Sequence, residues 1–192
     1  MCIFEPKNIS FGKDIKKIEF QKDKVTKYFK DLEGYNMTLE FIDIMKKYSC
    51  YPKVFKSKKE DLMIEMENCG DLLSIRNLPY DWEEQLNYMR KSFIDKQIYI
   101  LDLRFMPHTP LVINNLCMKN GKIYLVDLVM FRKRNTQFIN NNFDNLIKQI
   151  KLYKFMLNNN IFGYIIISFL HFYFELYRLI YSIYERIIFN DI

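Results

Sequence analysis

The chain has no alanine, only two histidines, one tryptophan and four cysteines in 192 residues. The missing alanine, set against plentiful Lys, Asn, Ile, Phe and Tyr, reads as the coding bias of an AT-rich genome, such as that of a parasite or a large virus, and says nothing about chemistry. Cys2, Cys50, Cys69 and Cys117 form no CxxC pair. With so few histidines this argues against a structural zinc site and for reduced thiols in a cytosolic setting. The opening MCIFEPKNIS has neither a basic start nor a long apolar run, so no secretory signal is expected. A formal charge of +6 is modest, and the lysines of residues 7–59 are interleaved with acids. Solvated faces fit that pattern better than a nucleic-acid-binding patch.

What is present is apolar bulk. Hydrophobic residues make up 49% of the chain and aromatics 17%, which excludes disorder and allows a sizeable core in one domain, or one domain with two lobes. Residues 9–30 place short apolar positions among lysines and acids, as short strands would, joined by Gly12 and by a Gln21-Lys22-Asp23-Lys24 turn. Residues 36–48 predict a helix with Leu39, Ile42, Ile44 and Met45 on its apolar face and Asn36 or Thr38 as N-cap. Tyr51-Pro52 breaks it; strands are expected from Val54-Phe55 and over Leu62–Met66, separated by a polar turn at Lys56–Asp61. After a hinge-like Glu67-Asn68-Cys69-Gly70 the character changes. Asp71–Ser74 and Trp82–Ile98 read as helices, the second presenting Trp82, Leu86, Met89 and Phe93 on one face.

The stretch His108–Val129 is the most informative. Lys119-Asn120-Gly121-Lys122 separates two apolar runs, and Asn-Gly in that setting is a strong hairpin signal because both residues tolerate positive φ. Asn115 stands just before the first strand and Asp127 just after the second, so two oxygen donors suited to a hard divalent cation flank the open end. A surface hairpin with polar ends is the alternative reading.

Together these segments resemble the protein kinase-like superfamily, especially its small, divergent members from large DNA viruses. Asn115, the hairpin and Asp127 match the spacing of the metal-binding Asn and the Asp of the DFG motif. Met66-Glu67-Asn68-Cys69-Gly70-Asp71 is similar to the strand-to-hinge segment that reads adenine, with Met66 as gatekeeper. Ser10-Phe11-Gly12 resembles the end of the Gly-rich loop, Lys27 falls near the phosphate-pairing Lys (Lys24 and Lys30 being alternatives), and Glu40 would be its helix partner. The resemblance covers roughly residues 8–132. It implies an α+β, two-lobed kinase-like fold within one domain, 1–192: a small antiparallel-sheet N-lobe over about 1–67 and a helical C-lobe over about 70–192, truncated at its C-terminus. It also implies ATP and Mg²⁺ as cofactors, held by Gly12, Lys27, Glu40, Met66, Glu67, Cys69 and Asp71 for the nucleotide and by Asn115 and Asp127 for the metal. The implied location is cytoplasmic, in the host cytoplasm for a viral protein.

Departures from the family pattern bear on catalysis. In the register His108–Asn115 the family's H-R-D-L-x-x-x-N spacing puts Pro110 where the catalytic Asp belongs. A second register, Ile100-Leu101-Asp102-Leu103-Arg104, offers Asp102 but needs an inserted loop of about eight residues, a small entropic cost. An active protein is expected to hold Asp102 beside Asn115 with residues 104–113 looping away. The alternative is a carboxylate paired locally with Arg104 or Arg90. Asp127-Leu128-Val129 lacks the DFG glycine, the first two phosphate-loop glycines are missing, and no Ala-Pro-Glu segment follows. Two functions therefore stay open: a Mg-ATP-dependent phosphotransferase with Asp102 as base, or an inactive pseudokinase serving as a nucleotide-binding or interaction scaffold.

Residues 143–157 predict an amphipathic helix, and 161–189 a long apolar one. On the latter Ser168, His171, Glu175, Arg178, Ser182 and Glu185 trace one polar stripe, and Phe169, Leu176 and Ile180 are expected to be buried. The uninterrupted apolar run before Glu175 is shorter than a bilayer span requires. Packing within the chain is the favoured expectation, with a protein partner or a membrane surface as alternatives.

Overall fold

A computed structural model describes residues 15–100, 103–106, 109–126, 131–158, 165–169, 172–173 and 176. The fold is mixed α+β with antiparallel sheets. β1 (Ile15–Phe20) and β2 (Lys24–Phe29) form a hairpin whose turn is closed by Gln21 N–H donating to the Lys24 carbonyl at 2.8 Å. Helix α1 (Leu32–Met45) follows, then β3 (Val54–Lys58) and β4 (Met63–Glu67), giving a sheet of order β1-β2-β4-β3.

Beyond the linker at 68–70 come β5 (Asp71–Ser74), α2 (Trp82–Lys96), β6 (Ile98–Ile100), β7 (Phe105–Met106), β8 (Thr109–Lys119), β9 (Lys122–Leu125), β10 (Phe131–Lys133) and α3 (Thr136–Asn158). The long β8 pairs with β5, β7 and β9, and β6 pairs with β10. The hairpin read from Asn120-Gly121 is present, with φ of 52° and 75° at the two residues. α2 buries Trp82, Leu86, Met89 and Phe93, as its spacing predicts.

Several expectations change. α1 begins four residues early because Asp31, not Asn36 or Thr38, caps it: an Asp31 carboxylate oxygen accepts from Gly34 N–H at 2.8 Å. Thr38 lies inside the helix, buried, its hydroxyl donating to the Gly34 carbonyl. Asp71–Ser74 is a strand rather than a helix, since pairing with β8 supplies its backbone partners and burial of Leu73 fixes its face. β3 runs on to Lys58, through half of the expected polar turn. The region after residue 70, expected to be helical with one hairpin, thus carries additional strands.

α3 starts at Thr136, ahead of the Asn-rich stretch, because an Asn135 side-chain oxygen accepts from Phe138 N–H and Ile139, Phe143, Ile147 and Ile150 face the core. On the tail, Phe169 and Leu176 are exposed rather than buried, while Ile167 takes the buried place; Ile180 lies outside the described residues. Among the described residues no helix is long and apolar enough to cross a membrane.

Candidate functional site

Alternation along β2 turns Val25, Lys27 and Phe29 to the inner face of the sheet. Lys27 is directly opposite Ile64, and Met66 is opposite Val25, so the ammonium stem and the Met66 side chain are diagonal neighbours over the same buried cluster. A lysine only 9% exposed must find polar company, and the Lys27 Nζ donates to the Val126 carbonyl at 2.9 Å, 99 residues further along the chain. This separates Lys27 from its alternatives. Lys24 pairs with Glu65 near the surface, and Lys30 is exposed.

Val126 is fixed from its other side by β8. Its N–H donates to the Asn115 carbonyl at 2.9 Å, and the preceding Leu125 N–H donates to the Cys50 carbonyl at 3.0 Å. Asn115 has φ of 63°, a left-handed conformation that Asn tolerates better than most side chains. The structure therefore brings Lys27, Asn115 and Val126 together, one residue short of Asp127 in the chain. Asp127, Asp102 and Gly12 lie outside the described residues.

Glu40 is not brought to Lys27. It is exposed on α1, as are Glu33 and Asp43, and the helix's buried face carries Gly34, Tyr35, Thr38, Phe41 and Met45. No carboxylate of α1 therefore points inward, because Tyr35, Thr38, Phe41 and Met45 take the inner side of the helix and position 40 lies off it.

The linker after β4 approaches β8 very closely. A Cβ on Gly70 would sit 2.4 Å from the Met118 carbonyl oxygen, and Gly70 has φ of 82°, so only glycine fits. Lys119 Nζ donates to the Asn68 carbonyl at 2.8 Å and Asn68 N–H to the Asp23 carbonyl at 3.0 Å, which ties the linker to both sheets. Cys69 is buried, and its Sγ reaches the Glu67 carbonyl. Among the described residues its backbone N–H and carbonyl take no hydrogen bond. Buried main-chain groups of that kind are rare and call for a partner. Asp71 follows at the exposed start of β5.

Burial pushes the Cys69 thiol up to about 12; Glu67 and Cys117 add to that, while Lys119 and Lys122 oppose it. Burial also raises Cys117 to about 11, with Lys27 working against the rise and Asp71 for it. Cys117 thus lies within electrostatic reach of both Lys27 and Asp71, on the strand between hinge and ammonium. Among the described residues no cluster of three or more His, Cys, Asp or Glu is placed to hold a metal.

The region that would carry a catalytic base shows one further feature. Residues 105–106 and 109–113 form a β-hairpin, β7 with the start of β8, in place of the expected loop. Asn114 N–H donates to the Arg104 carbonyl at 2.6 Å across its base. Pro110 belongs to strand β8. The Val126 carbonyl, the Gly70 approach and this closure left no signal in the sequence, since each depends on a main-chain group meeting a part of the chain outside its own local stretch. Compared with protein-family models and with curated protein sequences, the chain matches none.

Proposed function

We propose that the chain is a divergent, Mg-ATP-dependent phosphotransferase of kinase-like, two-lobed architecture, with the nucleotide lying between the 67–70 hinge and Lys27. The observation that carries this reading is the buried Lys27 ammonium on the carbonyl of Val126, next in sequence to Asp127. A lysine on a sheet strand beside the metal-binding Asp is what a kinase-like site uses to neutralise phosphate oxygens. The order of parts also supports it: a Lys-bearing strand, a helix, two strands, the 67–70 hinge, then, after β5, α2 and the short β6 and β7, the β8–β9 hairpin, with Asn115 inside β8 and Asp127 following β9 in sequence.

Each residue then has a task. The Cys69 backbone groups read the adenine edge, with Met66 and Cys117 as apolar walls. Lys27 holds phosphate oxygens. Asn115, in its left-handed conformation opposite Val126, and Asp127 supply hard oxygen donors for a divalent cation. That ion, when bound, neutralises phosphate charge. Asp102 is the candidate base, and closure of the 105–113 hairpin between Arg104 and Asn114 supports it: the insert adds length without parting its own ends, so the segments holding Asp102 and Asn115 start from adjacent main chain. The acceptor is a hydroxyl-bearing molecule.

A second reading, a pseudokinase scaffold, is favoured by two specific observations. Glu40, the expected helix partner of Lys27, is exposed on α1, and Pro110 occupies a strand where the first register would place the base.

A thermal-shift titration tests binding. ATP with Mg²⁺ at about 100 times its Kd should stabilise the chain by about 2.7 kcal/mol. Lys27→Met should remove that gain, and Asp127→Asn only its Mg²⁺-dependent part, both with unchanged circular dichroism. No shift in the wild type would sink nucleotide binding. Phosphoryl transfer lost in Asp102→Asn supports the enzyme, whereas ATP binding without turnover in the wild type supports the scaffold.

A further inference from the structure

We infer that Tyr51 is a positioning residue of the candidate site: its hydroxyl, anchored on α2, sets the Leu125–Val126 main chain against which Lys27 is placed. Its consequence for phosphate binding rests on the function proposed above. Tyr51 lies between α1 and β3 and is buried, as are Cys50 and Pro52 on either side. Proline restricts the residue before it to extended backbone. The Tyr51 ring packs edge-on against Phe41 of α1, with centroids 5.6 Å apart. A phenylalanine would fill that space without a polar atom, whereas a buried hydroxyl needs a partner. The partner is Ser92, fully buried on α2, whose Oγ lies 3.0 Å from the Tyr51 hydroxyl. The direction of that bond follows from proton count. A serine hydroxyl has one hydrogen, and Ser92 Oγ donates it to the Met89 carbonyl at 2.6 Å. Tyr51 is therefore the donor and Ser92 the acceptor, which ties the phenol to a helix embedded in the larger core.

The peptide unit that enters Tyr51 makes the contact with the site. Its carbonyl, that of Cys50, accepts from Leu125 N–H at 3.0 Å. Val126 follows directly. Its N–H donates to the Asn115 carbonyl, and its own carbonyl accepts from Lys27 Nζ, both at 2.9 Å. With the ring held by Phe41, the hydroxyl by Ser92 and the backbone by Pro52, few torsions are left that would let the Cys50 carbonyl drift. α2 thus reaches the lysine through Tyr51, the Cys50 carbonyl and β9. What passes along this path is position and not charge, because neither hydroxyl has to ionise for the contacts to hold.

Tyr51→Phe in the full chain keeps the ring and leaves the Ser92 hydrogen bonded, so it removes the anchor alone. Amide hydrogen exchange without nucleotide should then speed about 5-fold at Leu125 and Val126 while α3 amides keep their rates. Mg-ATP affinity, measured by calorimetry, should weaken by about the same factor. Ser92→Ala removes the same bond from the α2 side and should reproduce both changes, and the double variant should add little to either single one. It also supplies the reading if Tyr51→Phe fails to fold. Ile147→Val, a core change on α3 outside this path, should leave the two amides and the affinity as they are. Unchanged exchange at Leu125 and Val126, equal acceleration along the whole chain, or the same local response in Ile147→Val overturns the positioning role. So does local acceleration with Mg-ATP affinity intact. A wild type that binds no Mg-ATP sinks the proposed function instead, and the exchange rates at Leu125 and Val126 then judge the anchor by themselves.

Discussion

Among the described residues, the six buried hydrophobics beneath the β1-β2-β4-β3 sheet and the twenty-six gathered around α2 and α3 differ in construction as well as size. The smaller group (Ile15, Val25, Phe29, Tyr35, Ile64 and Met66) is one sheet face closed by the start of α1, and its sheet leaves Phe20 and Phe55 exposed near its edges. The larger group encloses both long helices and interlocks aromatic rings, with Phe93 against Tyr99 and Phe143, and Tyr99 against Phe138. α1 belongs to both, sending Tyr35 to one and Phe41 and Met45 to the other. The candidate site draws Lys27 and Met66 from the smaller group's sheet and Asn115 and Val126 from the β8–β9 hairpin. Local opening of the smaller group would therefore disassemble the site while most of the core stays folded.

The largest expected effect separates the two groups directly. Phe93→Ala, at a fully buried position among packed rings, should cost about 3–5 kcal/mol in denaturant unfolding. Phe29→Ala should instead speed amide exchange in β1 and β2 while α2 and α3 stay protected. Equal loss of protection everywhere would show that the two groups unfold as one.

The joint between them comes next. Gly70→Ala forces a Cβ against the Met118 carbonyl at an unfavourable φ and should cost about 3 kcal/mol. Gly121→Ala meets no neighbouring atom and should cost only the positive φ, about 1 kcal/mol. Similar melting points for the two variants would mean that the hinge can yield.

The smallest effect is alkaline. Cys50 and Cys117 are held protonated to about 11 and Cys69 to about 12, whereas unfolded thiols ionise near 9.0. Above the unfolded value the unfolded state binds fewer protons, so stability falls as pH rises from about 9 through about 11. None of these three thiols belongs to the smaller group. Alkaline pH should accordingly melt the larger group and the hinge, and alkylation of Cys50, Cys69 and Cys117 at pH 9 should be slow until global unfolding. Rapid labelling of any of these three at pH 9 with the helices intact would contradict this.

Legibility in the sequence followed locality. The β1–β2 turn, the Trp82 to Phe93 face of α2 and the Asn120-Gly121 hairpin are written in adjacent residues, and each was readable. β5 is four residues long and takes its state from a partner forty residues away, so its local pattern misled. The start of α1 turned on which of several capping residues came first, and Glu40 points outward because Tyr35, Thr38 and Phe41 take the inner side of the helix. The choice of Lys27 over Lys24 or Lys30 lay in strand alternation and in a contact with Val126 that no window of sequence contains.

The hydrogen bond from Asn114 to Arg104 has a consequence for how this protein can change. A detour whose entrance and exit are clasped together is, to everything around it, a short connection whatever its contour length. Length can therefore be added or removed between Met106 and Thr109 while the main chain on either side keeps its position, provided the clasp survives and Phe105, Leu111 and Ile113, which belong to the core, are kept. That is the place on this molecule to insert a reporter or a binding epitope, and the natural place for a related chain to differ in length.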